Sequence, residues 1–272
     1  MKKIIYLSLY CAIGITPFTN ASELKFNRFP DYYNDIEPVQ VKDVMLRYFG
    51  SNPTGVLSYG LDDVTRAGGH ACPALVGAFL MTREGLKALA KSYKDNPKAK
   101  GITSYDPETG LIYRGGIKVT MSGKANSGSF ANAMGDIMSY LTGAKGADGF
   151  KGGPDFPFAN RRNLLRYDEN LAFDPKKDIE AIFTTMTATY EKKVADNEWQ
   201  PSTYEACKGT WGECREITQC DKSVKVSFRF KSPEIIGKDP KAPWVDKIKN
   251  ILDNTDKAIT VTPIENPKAF CN

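Results

Sequence analysis

The stretch RAGGHACPALVGA, residues 66–78, places an imidazole and a thiol two positions apart, His70 and Cys72. His70 is the single histidine of the 272-residue chain, so any imidazole chemistry runs through it. Both side chains are good ligands for zinc, copper or iron. The two-residue spacing lets both reach one ion from an extended or turn backbone. Pro73 and an apolar run follow, the pattern of a helix start. Unpaired N–H groups and the macrodipole at a helix N-terminus favour a thiolate. The same pair therefore also suits a cysteine nucleophile with His70 as its base. A third reading is structural: glycines flank a turn, His70 caps it, and Cys72 is a small buried hydrophobe. The spacing leaves all three open.

Periodicity supplies the elements that must hold these residues. Val41, Val44, Met45, Tyr48 and Phe49 are spaced as one helix face stopped by Gly50. A short helix is expected from Leu61, with Asp62 and Asp63 in its first turn. Pro73 to about Tyr93 reads as a long helix whose apolar face includes Leu75, Val76, Phe79, Leu80, Leu86 and Leu89. LIYRGGIKVTMS alternates as a strand kinked at Gly115-Gly116, and SFANAMGDIMSYLTG reads as a second helix closed by Gly143. A glycine-rich loop follows. NLLRYDENLAF reads as a hairpin, and residues 174–196 as a helix capped by Asp174 with Pro175 at its first position. Later come a strand SVKVSFRF, a helix PWVDKIKNILDNT and a strand AITVTP. An extended arm is expected over residues 22–37.

The first 21 residues have a basic start, an apolar run and a small-residue end, the layout of a secretory signal. Cleavage near Ala21 predicts a periplasmic or secreted protein. Tyr10 before Cys11 argues against lipid attachment. Removing Lys2 and Lys3 takes the formal charge from +5 to +3, and the lysines are scattered, which argues against nucleic acid. No later run is apolar enough to span a membrane. In an oxidising compartment Cys207, Cys214, Cys220 and Cys271 are expected to form two disulfides, with three connectivities open. The spacings do not suit a zinc ribbon. Cys72 is then the odd thiol. The composition change near residue 197 divides a domain over 22–196 from a disulfide-containing C-terminal subdomain over 197–272.

The stretch DDVTRAGGHACPALVGAFLM resembles the opening signature of the FmdE family, named for a component of formylmethanofuran dehydrogenase. That signature is an acidic residue, then Gly-His-x-Cys-Pro, then a helix rich in small residues. IKVTMSGKANSGSFANAMGDIMSYLTGAKG is similar to the second family signature, with Asp136 six residues before Thr142. The similarity covers about residues 55–195. It implies an α+β fold, a mixed sheet with helices packed on it, and a metal site, usually zinc, at His70 and Cys72. Two thiol positions of the family are Ala133 and Ala144 here, and paired Cys-x-x-Cys motifs are absent. The remaining ligands would come from Asp136, from Ser127, Ser129 or Thr142, from water, or from a bound molecule.

Two further patches stand out. SGKANSGSF, with Lys124, offers backbone N–H groups to an anion or is a plain connection. Arg161, Arg162 and Arg166 form a basic cluster that is either solvated or anion-binding. The expected function is binding of a transition metal, or a metal-containing or small ligand, at His70 and Cys72. The rivals are a metal- or thiol-dependent enzyme using Cys72 with His70 and Asp136, and an interaction protein with a structural turn. The chain lacks a second histidine and a paired-carboxylate motif for acid–base work, and self-association stays open.

Overall fold

The computed structural model describes residues 29–96, 101–128, 130–152, 156–171, 178–210, 212–229 and 232–271. The signal-like segment, Ser129, Asp174 and Pro175 lie outside the described residues.

Alternation wins over helical spacing at the start. Val39 and Val41 are buried while Gln40 is exposed, and β1 (Val39–Lys42) pairs antiparallel with β2 (Val56–Tyr59). Asp43 ends β1 and caps a short helix, Val44–Tyr48, its carboxylate accepting from the Met45 N–H at 3.0 Å. The single helix expected there is thus a strand plus one helical turn. Asp31–Asp35 forms a 3-10 turn with Tyr33 buried, so this part of the expected arm is not extended.

The helices follow their signals. α1 spans Leu61–Gly68, and α2 spans Pro73–Asp95 with Pro73 in its first turn. Val76, Phe79, Leu80 and Leu89 of α2 are fully buried. LIYRGGIKVTMS is interrupted: a two-residue strand, Leu111–Ile112, and a 3-10 turn, Arg114–Gly116, precede β3 (Ile117–Ser122). α3 spans Phe130–Thr142 and ends at Gly143 with φ 73°.

One expectation fails in the middle of the chain, and another finds an unforeseen partner. β4 (Leu165–Asp168) lies parallel to β3, with Val119 opposite Leu165, and the returning arm of the expected hairpin, at Ala172 and Phe173, lies outside the described residues. Ile179–Ala195 is not a helix but the long strand β5. Thr184, Thr185, Thr187 and Thr189 supply the β-branched content that a pleated surface favours. β6 (Glu198–Ser202) folds back on β5, and β7 (Cys214–Phe228) pairs with β5 along nearly its whole length. α4 (Trp244–Asp253) leads to β8 (Ile259–Ile264).

The fold is α+β. The main sheet runs β8-β7-β5-β3-β4, with β6 and the short strand Ile102–Thr103 also on β5. Only β3–β4 is parallel among the pairs of this sheet, so the sheet is mixed. α2 packs on one face: Gly85 faces the Phe183 ring and Gly77 faces the Phe228 ring. The division near residue 197 falls in the β5–β6 hairpin. The later strands β6, β7 and β8 all belong to the main sheet.

The four late cysteines form two disulfides, Cys207 with Cys214 and Cys220 with Cys271. No helix among the described residues is long and apolar enough to cross a membrane. Two disulfides fit an oxidising compartment.

Candidate functional site

The turn between α1 and α2 carries His70 and Cys72. Gly69 closes α1 with φ 72°, a left-handed conformation that favours glycine, and its N–H donates to Arg66 O at 3.3 Å. A Cβ on Gly68 would meet Leu75 Cδ2, so the Leu75 side chain packs directly over this glycine and would have to shift. The two glycines thus let α1 end hard against the start of α2. Cys72 is the N-cap residue of α2, in extended conformation at φ −142° and ψ 165°, and its carbonyl accepts from Val76 N–H at 3.0 Å.

His70 is exposed, and its Nδ1 lies 2.9 Å from Gly68 O. A carbonyl can only accept, so Nδ1 carries the proton in this contact. In the neutral ring the lone pair is then on Nε2, and no protein hydrogen bond engages that atom among the described residues. A backbone carbonyl fixing one ring nitrogen so that the other can bind is the usual support of a metal-ligating histidine. Cys72 is half-buried against the core and is the free cysteine among the described residues.

The other expected ligands stand apart in role. Asp136 lies on the exposed side of α3. The Tyr167 hydroxyl is raised by burial first, with the Asp136 charge adding to it, which places that carboxylate near β4. Thr142 is fully buried; its hydroxyl donates to Met138 O at 2.7 Å and accepts from Ala144 N–H at 3.2 Å. It locks the end of α3 and has little left for a ligand. Ser127 donates to Asn132 Oδ1 at 2.9 Å and serves the approach to α3. No group of three or more His, Cys, Asp or Glu side chains able to share an ion occurs among the described residues. His70, Cys72 and Asp136 therefore do not form a three-ligand set.

No family model, curated protein or solved structure matches this chain. The resemblance to the FmdE family rests on the motif residues alone.

The basic cluster divides in two. Arg161 turns inward with Arg114 to Asp43, at 3.1 Å and 3.6 Å from its Oδ2. Two guanidinium groups thus share one buried carboxylate, and Arg114 Nε and Arg161 Nη1 are buried without a hydrogen-bond partner. Burial lowers the Arg161 pKa, and the Asp43 charge works against that. Arg162 and Arg166 go instead to a cavity that also takes Lys118. Nothing in the residue spacing marked Lys118; the signal was its place in IKVTMS, alternating with three apolar residues of a strand buried on both faces.

Burial first, and then the Arg166 charge, push the Lys118 amine down from 10.5 to about 8. A folded-state value below the unfolded one means the folded chain binds fewer protons between those limits. This group therefore holds stability down at neutral pH and returns it as pH rises from about 8 towards 10.5. In urea unfolding between pH 7.5 and 9.5, wild type should gain on Lys118→Met, with a slope of at most ~1.4 kcal/mol per pH unit. Parallel pH profiles for the two proteins would show that Lys118 carries no such strain. Arg162, Arg166 and Glu216 share its cavity and are unchanged in the comparison.

Proposed function

We propose that this chain is an exported FmdE-like protein that binds a transition metal ion, zinc first, or a metal-containing small ligand, through His70 and Cys72. The observation that carries the reading is the Nδ1 contact with Gly68 O. It leaves the Nε2 lone pair available two residues from an unpaired thiol. Two protein ligands leave further positions for water or a bound molecule, as an exchange or sensing site requires. The signal-like first 21 residues and the two disulfides support an exported, periplasmic or secreted location.

Equilibrium dialysis of the metal-stripped chain against buffered zinc tests this reading. Wild type should bind about one ion per chain, and His70→Ala or Cys72→Ser should each weaken binding by at least tenfold, the ratio that loss of ~1.4 kcal/mol gives. Asp136→Asn should change it little, since that carboxylate is not part of a shared set. Equal zinc in wild type and both site variants would discard the reading.

A further inference from the structure

The sheet has a second face. Strand side chains alternate, so Val119 and Phe183, opposite one another in register, face α2, whereas Lys118 and its partner Thr184 face away. On that far side a cavity of about 420 Å³ opens between β3, β4 and β7. Its volume is within the range of small-molecule sites. It lies across the sheet from the helices and is separate from the His70–Cys72 turn.

The charged residues of this cavity are three cations and one acid. Lys118, Arg162 and Arg166 line it, and none of them has a carboxylate partner within ion-pair distance among the described residues. Each is held by a neutral acceptor. Lys118 Nζ donates to Cys271 O at 2.5 Å, Arg162 Nε to Gly149 O at 2.5 Å, and Arg166 Nε to Thr120 Oγ1 at 2.9 Å. Both arginines are thus anchored through Nε, and among the described residues the protein engages neither terminal nitrogen of their forks. That is the end of the guanidinium whose geometry matches a carboxylate or phosphoryl group.

Glu216 is the acid of the cavity lining, and it is occupied. Its Oε2 accepts from the Tyr190 hydroxyl at 2.8 Å and from Phe158 N–H at 3.1 Å, and burial raises its pKa. It does not neutralise the three cations. Lys118 is buried, Arg166 half-buried and Arg162 exposed, and the buried amine beside a second cation is unfavourable without an anion nearby.

We infer that this cavity is a binding site for a small organic anion bearing at least two carboxylate or phosphoryl groups, held by Lys118, Arg162 and Arg166. One oxyanion group meets the Arg166 fork beside the Lys118 amine. A second meets Arg162 at the other side of the opening. Asn160 and Asn163 also line the cavity.

Isothermal titration with citrate, pyrophosphate and acetate at matched ionic strength tests the inference. It is run on wild type and on Cys72→Ser, so that chelation of an ion at the turn does not enter. Citrate or pyrophosphate should bind at least tenfold tighter than acetate in both proteins. Preference for citrate assigns the site to polycarboxylates; preference for pyrophosphate assigns it to phosphoryl compounds. Lys118→Met and Arg162→Gln should each weaken binding by about tenfold or more, as loss of a charge-assisted hydrogen bond does. Arg162 lies in a loop, so its variant keeps the test open if Lys118→Met folds poorly. Heats no larger than dilution for citrate and pyrophosphate would overturn the inference. So would full-strength binding in both variants.

Discussion

Replacing Cys220 and Cys271 together with serine should lower the unfolding free energy by about 4 kcal/mol. The bridge closes a loop with a sequence separation of 51 residues. In the chain-entropy account, opening such a loop frees the unfolded chain by that amount. The same change at Cys207 and Cys214, separated by 7, should cost only about 2.4 kcal/mol. The longer bridge also ties the residues after β8 to β7, beside the cavity where Lys118 donates to Cys271 O. Its loss should therefore reduce citrate or pyrophosphate binding as well as stability, whereas loss of the short bridge should leave anion binding in place. Urea unfolding without reductant, followed by titration of the folded variants, measures both effects. Equal destabilisation by the two double variants would contradict the loop-length argument.

The second large effect is expected at Gly115. A Cβ built there would overlap Phe158 O and lie 2.7 Å from its carbonyl carbon. Backbone must move to admit it, and the backbone of Phe158 is poorly placed to do so. Phe158 holds φ 61°, buries its ring, and donates its N–H to Glu216. Overpacking of this kind costs typically 1–3 kcal/mol and more where relief is blocked, so Gly115→Ala should lose about 3 kcal/mol. Gly146, with nothing within 4 Å of its built Cβ and no positive φ, is the matched control and should change by less than ~0.5 kcal/mol. Thermal melts of both variants decide it. A Gly115→Ala protein as stable as Gly146→Ala would mean that the Phe158 loop yields easily.

Legibility from sequence followed locality. α2 and α3 were readable because their signals are their own: Pro73 at the start, Gly143 at the end, and an apolar face between. The turn of Gly69, His70 and Cys72 was readable for the same reason. β5 was not. Ile179, Ile182, Phe183 and Met186 fall at helical spacing, and Asp174-Pro175 looks like a cap. The strand is central and buried on both faces, so it lacks the alternation that marks a half-exposed strand. The turn after β4 is local and legible, whereas the parallel pairing of β4 with β3 depends on a crossover through α3. The cavity was least legible of all. Lys118, Arg166 and Glu216 come from three strands, and only the sheet brings them together. The disulfides were legible as a set but not as pairs, since pairing is fixed by where β7 and the residues after β8 meet.

The central claim is that the imidazole and the sulfur of the α1–α2 turn bind one and the same ion. Cobalt(II), added to the metal-stripped chain in place of zinc, reads that directly, because sulfur ligation produces a thiolate-to-metal charge-transfer absorption. Wild type should develop this band at one cobalt per chain, Cys72→Ser should lack it, and His70→Ala should require a far higher cobalt concentration to reach it. A wild-type chain with no such band, or a band that forms equally well without His70, would contradict the account.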